Sequence, residues 1–145
     1  MTKSILAKEN IRLNTIVNSK EEAIRLTGGI LVEKGYVDTD YIEKMLEREQ
    51  LTSTYMGNFV AIPHGTEDSK PFVKESGISF VQVPQGVDFG AGNMVKLLIG
   101  IAGKDNEHLD ILSNIAIVCS EEENIERLVS AQSADEILAI FEDVN

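Results

Sequence analysis

Tryptophan is absent from this chain, and cysteine, proline and histidine are scarce, with one, three and two residues among 145. A single thiol excludes an intrachain disulfide, and Cys119 falls inside an apolar helical pattern, so burial is its expected condition. Long apolar runs are missing too. No stretch approaches the ~20 residues needed to span a bilayer, and the first fourteen residues have no continuous apolar segment of the secretion-signal kind. A cytoplasmic location without direct membrane insertion is expected. Basic residues are few, 13 Lys and Arg against 24 Asp and Glu, for a net charge of -11. Nucleic acid would be repelled by that charge, whereas a basic protein partner would be attracted. The sequence also has no Walker loop, no Gly-x-Gly-x-x-Gly, no serine-hydrolase elbow, and no His-x-x-x-His or Cys-x-x-Cys spacing.

What is present reads as a single globular domain over residues 1–145, 43% hydrophobic and 26% charged. Ile11-Arg12-Leu13 is a short strand candidate. Ser19-Lys20-Glu21-Glu22 has the form of a capping box and opens a helix ending near Gly35. Asp38 is the expected N-cap of a second helix, reaching Arg48 to Leu51, and Thr52 to Asn58 follows as a polar loop. Gly77 to Val83 is β-rich and closed by Pro84-Gln85-Gly86. Val95 to Ala102 is almost wholly apolar, as in a strand covered on both faces. The next segment carries Leu109, Leu112, Ala116 and Cys119 on one helical stripe and Ile111, Ile115 and Val118 on a second, which predicts a deeply buried helix. Ser120-Glu121-Glu122-Glu123 and Ser133-Ala134-Asp135-Glu136 are two further capping-box patterns opening short terminal helices. Strands interleaved with helices predict an α/β fold, a three-layer helix/sheet/helix sandwich with a mixed, mostly parallel central sheet.

Within that frame, Phe59-Val60-Ala61-Ile62-Pro63-His64-Gly65-Thr66 is the organising stretch. Pro63 stops the apolar run and holds extended geometry before it, so His64 sits just past a strand end, and Gly65 frees the backbone to turn. His108 follows the Val95 to Ala102 strand at the start of the next helix. If the two strands are parallel neighbours, both imidazoles meet at their carboxyl ends, where open α/β sheets place ligands. The helix N-terminus beside His108 would favour an anion and a neutral imidazole. Arg48 at the end of the second helix could add a fixed cation. Each residue also has a plain reading: His64 as a solvated loop side chain, His108 as a structural or surface residue, and Arg48 as one charge on a solvated helix face. A two-histidine metal site completed by Asp110 or Glu107 is a further alternative, without spacing to support it.

Arg48-Glu49-Gln50-Leu51-Thr52-Ser53-Thr54-Tyr55-Met56-Gly57-Asn58, continuing into Val60-Ala61-Ile62-Pro63-His64-Gly65-Thr66, resembles the phosphorylation-site signature of the enzyme IIA components of the bacterial phosphoenolpyruvate-dependent sugar phosphotransferase system. The resemblance is to the fructose/mannitol group, closest to its mannitol-specific members, and covers almost the whole chain. Asp105-Asn106-Glu107-His108-Leu109 resembles the mannitol members' second-histidine segment. Fructose-type and nitrogen-regulatory relatives typically carry a Gly-Ser-Thr-Gly-like loop where this chain has Leu51 to Gly57.

What the resemblance implies is a phosphoryl relay that needs no metal, nucleotide or other cofactor. The carrier HPr would phosphorylate His64 on Nε2, giving tele-phosphohistidine, and His64 would pass the group to a cysteine of the IIB domain of the mannitol permease. Arg48 and His108 would hold the phosphoryl oxygens. A fructose-specific or nitrogen-regulatory IIA, or a non-catalytic regulatory binding module, would carry the same signature to another end.

Overall fold

A computed structural model describes residues 6–104 and 107–142, the side chain of His108 excepted. The chain runs β1 (Ile11–Arg12), α1 (Lys20–Glu33), α2 (Asp40–Leu51), β2 (Tyr55–Gly57), β3 (Val60–Ala61), β4 (Gly77–Asp88), β5 (Met94–Ala102), α3 (Glu107–Cys119), α4 (Glu122–Ser130) and α5 (Ala134–Glu142), with 3-10 turns at Lys8–Asn10 and Glu67–Phe72. One sheet of order β1-β4-β5-β3-β2 holds all five strands. β1 with β4 and β3 with β5 are parallel, whereas β4 with β5 and β2 with β3 are antiparallel. The sheet is therefore mixed, as expected, although its parallel share is half, because the longest ladder joins β4 and β5 as a hairpin that needs no crossover.

Alternation along β5 explains the layers. Leu98 and Ala102 face one core with Ala23, Ile24, Leu31, Tyr41 and Met45 of α1 and α2. Leu97, Ile99 and Ile101 face the other with Ile111, Ile115, Leu128 and Ile137 of α3, α4 and α5. Every one of these residues is buried. At Gly100 a Cβ would meet Thr27 of α1 at 2.6 Å, so the missing side chain is what lets that helix lie against the sheet.

Helix boundaries follow local chemistry where the caps form. Ser19 Oγ accepts from the Glu22 amide at 3.1 Å, and Gly35 ends the α1 region at φ 83°. Ser133 and Glu136 make a reciprocal capping box at the start of α5. The other box does not form. Ser120 Oγ donates to the Ile117 carbonyl at the end of α3, so α4 starts without a side-chain cap. Asp38 does not cap α2 with its carboxylate either; Thr39 holds the N-cap position, and Asp38 pairs with Lys74 at 3.1 Å. The Thr52–Asn58 loop contains β2, because Gly57, Asn58 and Phe59 all take positive φ and reverse the chain tightly enough to pair it with β3. Pro84–Gly86 interrupts the ladder register rather than ending β4. In α3 only the Ile111, Ile115, Val118 and Cys119 side is buried; Leu109 and Ile117 are exposed.

Candidate functional site at the carboxyl end of the sheet

β3 and β5 are parallel neighbours in the register Val60↔Leu97 and Ala61↔Leu98. His64 extends that alignment as an isolated parallel bridge to Ile101, whose amide donates to the Pro63 carbonyl at 3.0 Å. The half-buried imidazole therefore stands at the carboxyl ends of both strands. Its Nδ1 lies 2.7 Å from the Ile62 carbonyl oxygen. A carbonyl only accepts, so a neutral ring holds its proton on Nδ1 and presents its lone pair on Nε2.

Gly65 is required for space rather than for an unusual φ. A Cβ there would overlap Ser69 Oγ and approach the Tyr41 ring to 2.6 Å. The Tyr41 hydroxyl accepts from the Gly65 amide at 2.9 Å and donates to the Ile101 carbonyl at 2.8 Å, which ties α2 to the histidine loop and to the end of β5. Burial pushes this phenol up to about 12, with the Gly65 hydrogen bond pulling the other way.

Arg48 occupies the last turn of α2, half-buried, with Nη1 donating to the Thr52 carbonyl at 2.6 Å. Two residues on, the Thr54 carbonyl accepts from the Ile62 amide at 3.1 Å. That bond carries the pairing of β2 and β3 back to Thr54 and Ile62, each two residues along the chain from Thr52 and His64. The anchor of Arg48 thus lies on the segment flanking the histidine. His108 falls in the first turn of α3, the helix that follows β5 in the chain, whose Glu107 amide donates to the Lys104 carbonyl at 3.1 Å. Backbone topology brings both histidines to one edge of the sheet; Asp105, Asn106 and the His108 side chain lie outside the described residues. Among the described residues no three His, Cys, Asp or Glu side chains converge into a metal-binding group, Glu107 and Asp110 included.

At this edge the described residues place the His64 imidazole at a strand terminus, and the Arg48 guanidinium, in the last turn of α2, on the adjoining Thr52 carbonyl. The sequence matches the family described as phosphoenolpyruvate-dependent sugar phosphotransferase system, EIIA 2, over residues 4–144. The chain belongs to that family. It is 67% identical over 145 residues to the mannitol-specific phosphotransferase enzyme IIA component of Geobacillus stearothermophilus, covering all of both chains. With the mannitol-specific phosphotransferase enzyme IIA component of Bacillus subtilis (strain 168) it shares 64% identity over 141 residues, 97% of this chain and 99% of the relative. A solved complex of enzyme IIAMTL and phosphorylated enzyme IIBMTL from Escherichia coli superimposes with a TM-score of 0.88 at 39% identity, over 95% of this chain and 97% of that one.

For an EIIA 2 chain, two neighbours of the site escape a reading by periodicity. Tyr41 counts as one more apolar position of α2, and its only signal is a polar tip on a buried stripe. Glu49 looks like part of the solvated Glu47-Arg48-Glu49 run, yet it is only 5% exposed. Its Oε1 accepts from the Thr54 amide at 2.9 Å and from Thr54 Oγ1 at 2.7 Å.

Proposed function

We propose that this chain is a mannitol-specific enzyme IIA that takes a phosphoryl group from phosphorylated HPr onto Nε2 of His64 and hands it to the cysteine of the IIB domain of the mannitol permease. The observation that carries the reading is the 2.7 Å hydrogen bond from Nδ1 of His64 to the Ile62 carbonyl. In the forward step the Nε2 lone pair attacks phosphorus, the bond from phosphorus to the donor nitrogen of HPr breaks, and that nitrogen keeps the electron pair. The His64 ring then carries positive charge, which the Ile62 carbonyl stabilises through the Nδ1–H it already accepts. In the second step the IIB thiolate attacks the same phosphorus and Nε2 recovers its pair. Arg48 and His108 stabilise the phosphoryl oxygens in flight, so catalysis consists of positioning and charge stabilisation. Exposed Leu51 and Leu109, 71% and 68% accessible, lie three residues after Arg48 and next to His108 in the chain and suit contact with a docking partner.

No helix among the described residues is long and apolar enough to cross a membrane. Together with the relay chemistry this supports a cytoplasmic protein working as one EIIA type-2 domain over residues 1–145. Incubation with phosphoenolpyruvate, enzyme I and HPr should give one acid-labile, base-stable phosphate, absent from His64→Ala, and faster transfer to a mannitol IIB domain than to a fructose IIB domain. Full labelling of His64→Ala would refute the acceptor, and preferential transfer to the fructose domain would refute the sugar assignment.

A further inference from the structure

We infer that Glu49 is a positioning residue for the phosphoryl site, its buried carboxylate holding Thr54 and so fixing the Thr52–Thr54 segment that anchors Arg48 and pairs with the strand leading to His64. The inference rests on the reading of His64 as the phosphoryl acceptor and Arg48 as its clamp.

Arg48 and Glu49 are consecutive on α2 and point about 100° apart. The guanidinium reaches the Thr52 carbonyl on the accessible side, and the carboxylate turns inward. Glu49 Oε1 takes both donors of Thr54, its amide and its hydroxyl. The Thr54 carbonyl in turn accepts the Ile62 amide, and the Ile62 carbonyl accepts Nδ1 of His64. A continuous set of hydrogen bonds therefore runs from Glu49 through Thr54 and Ile62 to the nucleophilic ring, with Arg48 tied to the same three-residue segment. Moving Thr54 would displace both the cation and the backbone that orients the imidazole.

Local electrostatics argue against a carboxylate at this place for stability alone. Glu49 lies in the last turn of α2, where the helix dipole disfavours negative charge. It is buried, and its Oε2 has no hydrogen-bond donor among the described groups, although it forms an ion pair with Lys20 Nζ at 3.5 Å. A neutral side chain would avoid those costs. What the carboxylate provides is a charge-assisted, two-donor grip on one residue, stiffer than a neutral acceptor would give.

Single-turnover phosphorylation by phosphorylated HPr tests this with Glu49→Gln, Thr54→Val, Arg48→Ala and the doubles that combine each of the first two with Arg48→Ala. Glu49→Gln should slow transfer at saturating donor on the order of tenfold, with half-saturation unchanged, and Thr54→Val should slow it less. In the Arg48→Ala background each substitution should cost clearly less than it does in the wild type, because one of the two groups being positioned is gone while the His64 arm remains. Losses that multiply in full in the doubles, or wild-type rates in both single variants, would overturn the positioning role. If Glu49→Gln fails to fold, the Thr54→Val cycle decides on the same criteria. A wild-type chain that takes no phosphate on His64 would instead overturn the underlying relay reading, and is distinguished by needing no variant.

Discussion

The Tyr41 hydroxyl receives the Gly65 amide proton at 2.9 Å, so a side chain from α2 holds the residue that follows His64. The same oxygen donates to the Ile101 carbonyl at 2.8 Å. Tyr41→Phe keeps the ring in the core but leaves the half-buried Gly65 N–H and the buried Ile101 C=O without this partner. The expected loss is about 1–3 kcal/mol, read from the denaturant midpoint, together with slower phosphorylation of His64. Gly65→Ala should be worse, because its Cβ would enter the space of Ser69 Oγ and the Tyr41 ring. A Tyr41→Phe chain as stable and as fast as wild type would remove the clamp from the account of the site.

The fold and the site were legible in the sequence to different depths. Apolar periodicity gave the strand at Val95 to Ala102 and the helices around it, because a strand covered on both faces has a sharp signature. Pro63 gave the strand end at His64 for an equally local reason. The β2 strand stayed hidden since its pairing is made by three consecutive positive-φ residues, two of them not glycine. Which of three Ser-x-x-Glu patterns would close was also unreadable: Ser120 is drawn back to α3 by the Ile117 carbonyl, a tertiary outcome. At the candidate site, residue type singles out His64 and Arg48 as candidates, while Glu49 and Tyr41 look ordinary until their burial and partners are known.

Cys119 should be inert in the native protein. Burial pushes its thiol up to about 12, so almost no thiolate exists at pH 8 and alkylation should proceed only after unfolding. The unfolded chain loses this proton near the usual cysteine pKa, whereas the folded chain keeps it until about 12. Between those values the unfolded state binds fewer protons, so stability falls as pH rises. Tyr41, also raised to about 12, adds to the fall above the usual tyrosine range. Cys119→Ala and Tyr41→Phe should each flatten the alkaline limb of a stability profile; an unchanged limb in both would contradict the assignment.

At Arg48 the planar guanidinium can grip two phosphoryl oxygens while its Nη1 stays on the Thr52 carbonyl. A lysine offers one point charge and cannot do both. Arg48→Lys should fold normally and transfer on the order of tenfold more slowly in both half-reactions. Wild-type rates would return Arg48 to the status of a helix-face charge.

The two histidines should separate by role. On the proposed relay His64 would supply the bond-forming nitrogen, whereas His108, in the first turn of α3, would act as a hydrogen-bond donor to the phosphoryl group in flight. Removing it leaves the nucleophile intact and withdraws transition-state stabilisation alone. His108→Ala should therefore still be phosphorylated on His64, but ~10²–10³-fold more slowly in at least one of the two transfers. Backbone amides in the first turn of α3 can partly replace the lost donor and draw the effect toward the lower end of that range. Single-turnover phosphorylation by phosphorylated HPr, followed by transfer to the IIB domain, measures both steps. Unchanged rates in both would make His108 a bystander, whereas stoichiometric zinc binding abolished equally by His64→Ala and His108→Ala would replace the relay site with a metal site.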